Sequence, residues 1–317
     1  MSSEHAGVQS PAGPDPERGR PDGGQELSGF AFIGTTALFF GAAPTFAKLA
    51  FDGGIDALSL QVFRFAIAFV AVIGTMAIIR ETPKIQRHQF ARLTLLACCT
   101  GIASLCYMTS VRYVPVAVAS LTFFTFPIIV GPLSHLVGSD RMTVRNLTAT
   151  AVAFTGLCMV LGGDLELDWL GILLAFIAGL AVALSFIVAR PLVVQLPAMT
   201  VSVISTGLSG LFFLTWALFT ADLSPPETPV GKIGLIGNSL CYAVGLCCLY
   251  AGIRRIGALR SAILVNAEPL ISVLAAFLVL GQTIGPVQIA GTVVVIFGIT
   301  MVRKAPKRDA KPDANDV

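Results

Sequence analysis

Between residues 29 and 302 the chain alternates long apolar stretches with linkers too short to hold a soluble domain. A helix needs roughly 20 apolar residues to cross a bilayer. Ten stretches qualify: about 30–50, 57–79, 91–112, 114–137, 144–162, 168–189, 198–219, 232–253, 258–280 and 286–302. Overall balance agrees, since 55% of the 317 residues are hydrophobic and 12% charged, where soluble domains carry about a quarter. The expectation is an all-α integral membrane protein with ten transmembrane helices, whose work is done inside the bilayer.

The ends differ from the middle. Residues 1–28 are rich in Pro, Gly and acids and hold too little apolar surface to fold, so they read as a disordered tail. Residues 303–317 form a charged, Pro-broken basic tail. Neither end carries an apolar stretch, so no signal peptide is expected ahead of the first span. The seven cysteines all fall in spans without metal-type spacing and read as small apolar packing residues.

Lys and Arg set the orientation. With the N-terminus cytoplasmic, inner segments hold 17 of them and outer segments only Lys48, Arg112 and Lys232. Both termini are therefore expected inside, in a multi-pass protein of the cytoplasmic membrane.

Sliding the chain by 142 residues aligns a stretch of about fifty without a gap. Arg112 falls on Arg254, Pro127 on Pro269, Ile129 on Ile271, Thr150 on Thr292, Gly156 on Gly298 and Met159 on Met301. The chain thus divides into a first five-helix repeat at 29–163 and a second at 164–302. Five is odd, so the second enters the membrane inverted. Inverted repeats are an architecture of secondary transporters, with substrate held near mid-membrane where the repeats meet.

Helix packing has its own signature. Ala37, Gly41 and Thr45 recur every fourth residue in the first span, and Gly171, Ala175, Gly179 and Ala183 do so in the sixth. Small residues at that spacing let helices approach closely in lipid, and they need no ligand role.

The stretch LVNAEPLIS (264–272) places Glu268 near the midplane of the ninth span, beside Asn266 and Pro269. A carboxylate there costs roughly 2.5–3.5 kcal/mol on insertion scales unless water or a partner reaches it. Proline frees a backbone carbonyl, tolerated only within protein or beside a cavity. Pro44, Pro127 and Pro269 are the expected kinks, and the mate of Glu268 in the first repeat is Phe126. A functional carboxylate and a neutral, hydrogen-bonded one both fit.

Other polar residues within spans carry the same two readings. Arg64 either snorkels to the outer headgroups or anchors an anionic substrate group, and Lys48 is divided the same way. Asn266, Asn238, Tyr242 and Tyr107 are packing residues or walls of a substrate site.

These motifs resemble the drug/metabolite transporter superfamily, EamA-like with two EamA domains, over about residues 30–302. FFGAAPTFAK (39–48) is similar to the first-helix pattern of that family, with Phe40 where Trp is usual. QVFRFAIAF (61–69) resembles its Phe-Arg-Phe pattern, and NAEPLISVLAAFLVLGQTI (266–284) its Glu-Pro motif, although Gln282 replaces a second Glu. The first repeat keeps an acid at Asp140. The resemblance implies a ten-helix carrier, commonly an exporter of amino acids or other small metabolites, coupled to protons or substrate exchange. It places Arg64, Lys48 and Glu268 around a central cavity.

The expected function is a secondary active transporter exporting small metabolites such as amino or organic acids by alternating access. Expected partners are that solute and the lipid bilayer, with neither cofactor, metal nor nucleic acid. The alternatives are a broad-specificity drug efflux carrier and, more distantly, an intramembrane enzyme, for which no HExxH, GxSxG or paired intramembrane aspartates are found. A passive channel finds no charged ring or carbonyl filter to support it.

Overall fold

A computed structural model describes residues 23–80, 85–110, 113–114, 116–138, 143–161, 168–220, 223–280 and 285–301. Arg112, Asp140 and Gln282, the chain before Gly23 and the basic tail lie outside these. Among the described residues the protein is all helical. The first half holds α1 (Gly23–Asp52), α2 (Ala57–Ile78), α3 (Arg87–Ser110), α4 (Val116–Phe123), α5 (Phe126–Leu136) and α6 (Val144–Leu161). The second holds α7 (Trp169–Gln195), α8 (Ala198–Thr220), α9 (Pro229–Ile256), α10 (Ala258–Val265), α11 (Glu268–Leu280) and α12 (Pro286–Thr300). Eight stretches are long and apolar enough to cross a membrane, with shorter apolar helices at Val144–Val160 and Pro286–Thr300.

Local chemistry explains where several helices begin. Asp56 caps α2, its carboxylate accepting from the Leu58 N–H at 2.8 Å, the Ser59 N–H at 3.0 Å and the Ser59 hydroxyl. Burial opposes its charge, but those hydrogen bonds outweigh it and hold its pKa below the ordinary carboxylate value. Asp168 and Thr228 cap α7 and α9 in the same way. Between α9 and α10 the chain turns at Gly257, whose φ of +89° favours a residue without a Cβ.

Three segments depart from the sequence expectation. Helix α1 starts at Gly23, so residues 23–28 belong to a helix and not to the disordered tail. The reason is a tertiary contact that composition does not register: Arg260 donates to Glu26 Oε1 at 2.6 Å, both side chains largely buried. The stretches at 114–137 and 258–280 each fold as two helices instead of one kinked helix. At the second break, the Asn266 and Ala267 N–H groups bond back three residues, to Ile263 O at 3.2 Å and Leu264 O at 3.1 Å. The first break tightens likewise, with the Thr125 N–H on Thr122 O. Pro127 and Pro269 each become the second residue of a new helix, where a missing N–H costs nothing. Pro44 behaves differently and lies inside an unbroken α1.

Packing is reciprocal between the halves. α1 lies along α9, and α3 along α7; α2 touches α9, and α3 touches α8. α1 meets α10 and α11 as α7 meets α4 and α5, while α2 pairs with α8 and α6 with α12. Matching α1, α2, α3, α4–α5 and α6 in order with α7, α8, α9, α10–α11 and α12 gives each of these contacts its counterpart. Polarity is inverted relative to a water-soluble protein. Leu218, Phe219, Val70 and Phe297 are exposed, while Gln61, Asn238 and Asn266 are buried.

Glycine sets the closest approaches. A Cβ on Gly298 of α12 would stand 2.5 Å from the Ala153 nitrogen of α6, and one on Gly156 2.5 Å from the Val295 nitrogen. Backbone, not a yielding side chain, fills both spaces. Overpacking of this kind typically costs about 1–3 kcal/mol. Gly298→Leu is therefore expected to lower the thermal midpoint in detergent by several degrees and to shrink the monodisperse peak in size-exclusion chromatography. The neighbouring Phe297→Leu, on the exposed face, should leave both unchanged.

Candidate functional site

Arg64 lies on α2, seven residues past its start, and points inward instead of to the outer surface. Its Nη2 donates to the Ser104 hydroxyl of α3 at 2.8 Å. Gln61, one turn earlier on α2, donates to the same oxygen through Nε2. The guanidinium sits over the Tyr242 ring of α9 at 4.6 Å and the Phe65 ring at 5.1 Å. Phe40 of α1 stacks on Tyr242 at 5.9 Å, and Phe65 meets it edge-on at 5.1 Å. A planar cation is thus held by aromatic faces and a neutral hydroxyl. Among the described residues no carboxylate pairs with it, and its buried Nε has no hydrogen-bond partner.

The second part of the site is the break between α10 and α11. Asn266 is 1% exposed, and neither its Nδ2 nor its Oδ1 has a partner. Glu268 opens α11 and is half-buried. A helix start favours a carboxylate, because its free N–H groups and dipole present positive charge there. Helix α1 passes so close that a Cβ on Gly41 would lie 2.6 Å from the Glu268 carbonyl oxygen. The absence of a side chain at Gly41 thereby admits the Glu268–Pro269 start of α11.

Tyr107 connects the two parts. It lies one turn beyond Ser104 on α3, within electrostatic reach of Glu268, and its hydroxyl hydrogen-bonds that of Ser120 on α4 at 2.8 Å. Asn238 lies one turn from Tyr242 and donates through Nδ2 to Ala43 O of α1 at 2.8 Å. The Asn238 Oδ1 and the Tyr242 hydroxyl are buried without partners.

Of the residues singled out in the sequence, Arg64 and Tyr242 are in contact, Asn238 lies one turn from Tyr242, and Asn266 and Glu268 lie together at the break before α11, with Tyr107 within electrostatic reach of Glu268. Lys48 stands apart: it is exposed and pairs with Asp52 at 3.5 Å, one turn along α1. The kink prolines Pro127 and Pro269 flank the two breaks, whereas Pro44 is exposed on α1. Gln61, Ser104 and Ser120 were missed. Of these only Gln61 left a trace, one turn ahead of Arg64 in QVFR. Among the described residues no group of three His, Cys, Asp or Glu converges on a metal-sized site.

The model of the EamA-like transporter family matches this chain twice, over residues 27–162 and 169–304. An uncharacterized transporter of Archaeoglobus fulgidus is 25% identical over 271 residues, covering 86% of this chain and 94% of that protein. The uncharacterized transporter YwfM of Bacillus subtilis is 26% identical over 293 residues, covering 89% and 96%. A solved protein crystal structure shares the fold, with a TM-score of 0.75 at 13% identity over 88% of this chain and 96% of the other.

Unpartnered buried groups have a measurable signature. Leaving a buried hydroxyl unsatisfied costs about 1–3 kcal/mol. Tyr242→Phe removes that hydroxyl and keeps the ring beneath Arg64, so the thermal midpoint in detergent should rise by a few degrees. Asn238→Ala gives up the bond to Ala43 and should lower it. Differential scanning fluorimetry reads both.

Proposed function

The chain belongs to the EamA-like transporter family, and from that premise we propose that it is a secondary exporter of small polar metabolites, amino or organic acids, working by alternating access. Its ten crossings form two inverted five-helix repeats, 29–163 and 164–302, with both ends in the cytoplasm. In this arrangement α4–α5 and α10–α11 are the broken fourth and ninth spans, and α6 and α12 the fifth and tenth. The reciprocal helix contacts support the symmetry. The excess of Lys and Arg on one side supports the orientation.

One observation carries the functional reading. A cation and a carboxylate, Arg64 and Glu268, both lie within spans without an ionic partner among the described residues. Isolated charges in a membrane interior are costly and mark solute or proton paths. The cargo supplies the missing partners. Its anionic group is held by Arg64 in place of the Ser104 contact alone. Asn266, Asn238, Tyr242 and Tyr107 orient it by hydrogen bonds. Glu268 receives either its ammonium or a proton, and either event changes the charge at the break between α10 and α11. Exchange of that partner is the coupling step.

A second reading, a broad-specificity drug efflux carrier, draws on the rings of Phe40, Phe65, Phe213 and Tyr242, which pack around Arg64. The two differ in what Arg64 does. A metabolite carrier needs its charge, whereas a lipophilic-drug carrier needs only the rings.

Comparing metabolite pools in cells with and without overexpression identifies the exported compound. Arg64→Ala is expected to reduce its export at least tenfold. Arg64→Lys should recover little, because an ammonium cannot stack flat between rings or donate in a fork. Glu268→Gln should retain exchange of solute for solute while losing accumulation driven by a proton gradient. Export unchanged in Arg64→Ala would remove the anionic-substrate reading.

A further inference from the structure

Helix α8 buries a hydroxyl face that the central group does not use. Ser202, Ser205, Thr206 and Ser209 recur at helical spacing on one side of it, each 0–1% exposed. Ser209 donates to Ala97 O at 3.0 Å, so this side meets α3. The Tyr250 hydroxyl of α9 lies beside Ser205 and beside Thr100 of α3. Four hydroxyl-bearing residues from three helices, Thr100, Ser202, Ser205 and Tyr250, therefore share one interior region.

Close helix packing accounts for the size of the serines but not for their unused hydrogen bonds. Other hydroxyls close on a carbonyl of their own helix: Thr206 of this same face on Ser202 O at 2.8 Å, Thr100 on Leu96 O at 2.9 Å, Ser239 on Leu235 O at 2.7 Å and Ser261 on Gly257 O at 2.6 Å. Among the described residues the Ser202 hydroxyl has no partner, and the Ser205 hydroxyl has none beyond that of Tyr250 beside it, although both serine oxygens are buried. Thr200 is also unpartnered, but it lies on the opposite side of α8 and takes no part.

The position of the group along the helices is telling. Thr100 lies one turn before Ser104, the hydroxyl that holds Arg64. Tyr250 lies eight residues past Tyr242, about 12 Å along α9, toward Arg254 and Arg255 at its end. The hydroxyls thus continue the polar interior from the Arg64 region toward the face that carries those arginines, the cytoplasmic one in the orientation above.

We propose that Ser202, Ser205, Thr100 and Tyr250 form a second, inner subsite that binds uncharged hydrogen-bonding groups of the transported solute. The inference rests on the carrier reading and adds a station to it. Hydroxyls both donate and accept and carry no charge, so the subsite takes hydroxyl, amide or amino groups in any order. It holds them weakly enough to pass the solute on to Arg64. An exporter meets its cargo here first, on the cytoplasmic side.

Sidedness tests this. Ser202→Cys and Ser205→Cys are made singly in the full chain and exposed to a membrane-impermeant methanethiosulfonate ammonium reagent, in inside-out and right-side-out vesicles. Intact mass should show one adduct more than the parent chain, formed at least tenfold faster in inside-out vesicles. Asn266→Cys serves as the central-site control. If it labels and neither serine position does, the hydroxyl face is dry packing and the subsite is wrong, while the carrier reading stands. If none of the three labels, both fail. As an independent measure, Ser202→Ala, Ser205→Ala, Thr100→Val and Tyr250→Phe should each raise the half-saturating cytoplasmic concentration of the exported solute about fivefold or more, without lowering the thermal midpoint. Unchanged half-saturation overturns the subsite even if the cysteines label.

Discussion

Hydrocarbon offers no water to an unsatisfied polar group, so a protein folded in it must close every hydrogen bond internally. Most of this chain obeys. Thr and Ser hydroxyls on many helices bond back to a carbonyl one turn earlier, and helix starts are capped by Asp56, Asp168 and Thr228. Departures concentrate along the interior faces of α2, α8 and α9 and at the break before α11. Gln61, Arg64, Asn238, Tyr242 and Asn266 are each left with an unmet polar atom there. Against so strict a rule, such a concentration is the physical argument for a solute path.

The two halves share a backbone plan and differ in what fills it. Both broken spans place proline second in the new helix. In the first half the position before it is Phe126, 1% exposed and packed against Phe123 at 5.7 Å and Phe186 at 5.5 Å. In the second it is Glu268, with the unpartnered Asn266 two residues earlier. A symmetric frame thus carries an asymmetric site: one break is sealed with rings, and the other is left polar. Close helix contacts through Gly41, Gly156, Gly291 and Gly298 bring the halves together tightly enough for this difference to matter, because no side chain separates the backbones.

Much of this was legible in the sequence, and the misses share a cause. Long apolar stretches announce helices because the bilayer sets their length, and an internal repeat announces itself through prolines and glycines that backbone geometry demands. Arg64 and Glu268 were visible because charges are rare in such stretches. Ser104, Ser120 and the α8 serines were not, because a hydroxyl costs little in a helix and is common there. Lys48 carried the same charge signal as Arg64, yet it turns out to the surface beside Asp52.

By itself the sequence determined that the chain is helical, membrane-embedded and internally repeated, and that two isolated charges and several prolines lie within its apolar stretches. Those properties depend on composition and on spacing along one strand of chain. Which polar groups meet, that Glu26 anchors the first helix to Arg260, and which hydroxyls are left without a partner were decided only in the tertiary structure. Pairing across helices depends on the rotation and depth of each one, and these are fixed by contacts between residues far apart in the chain.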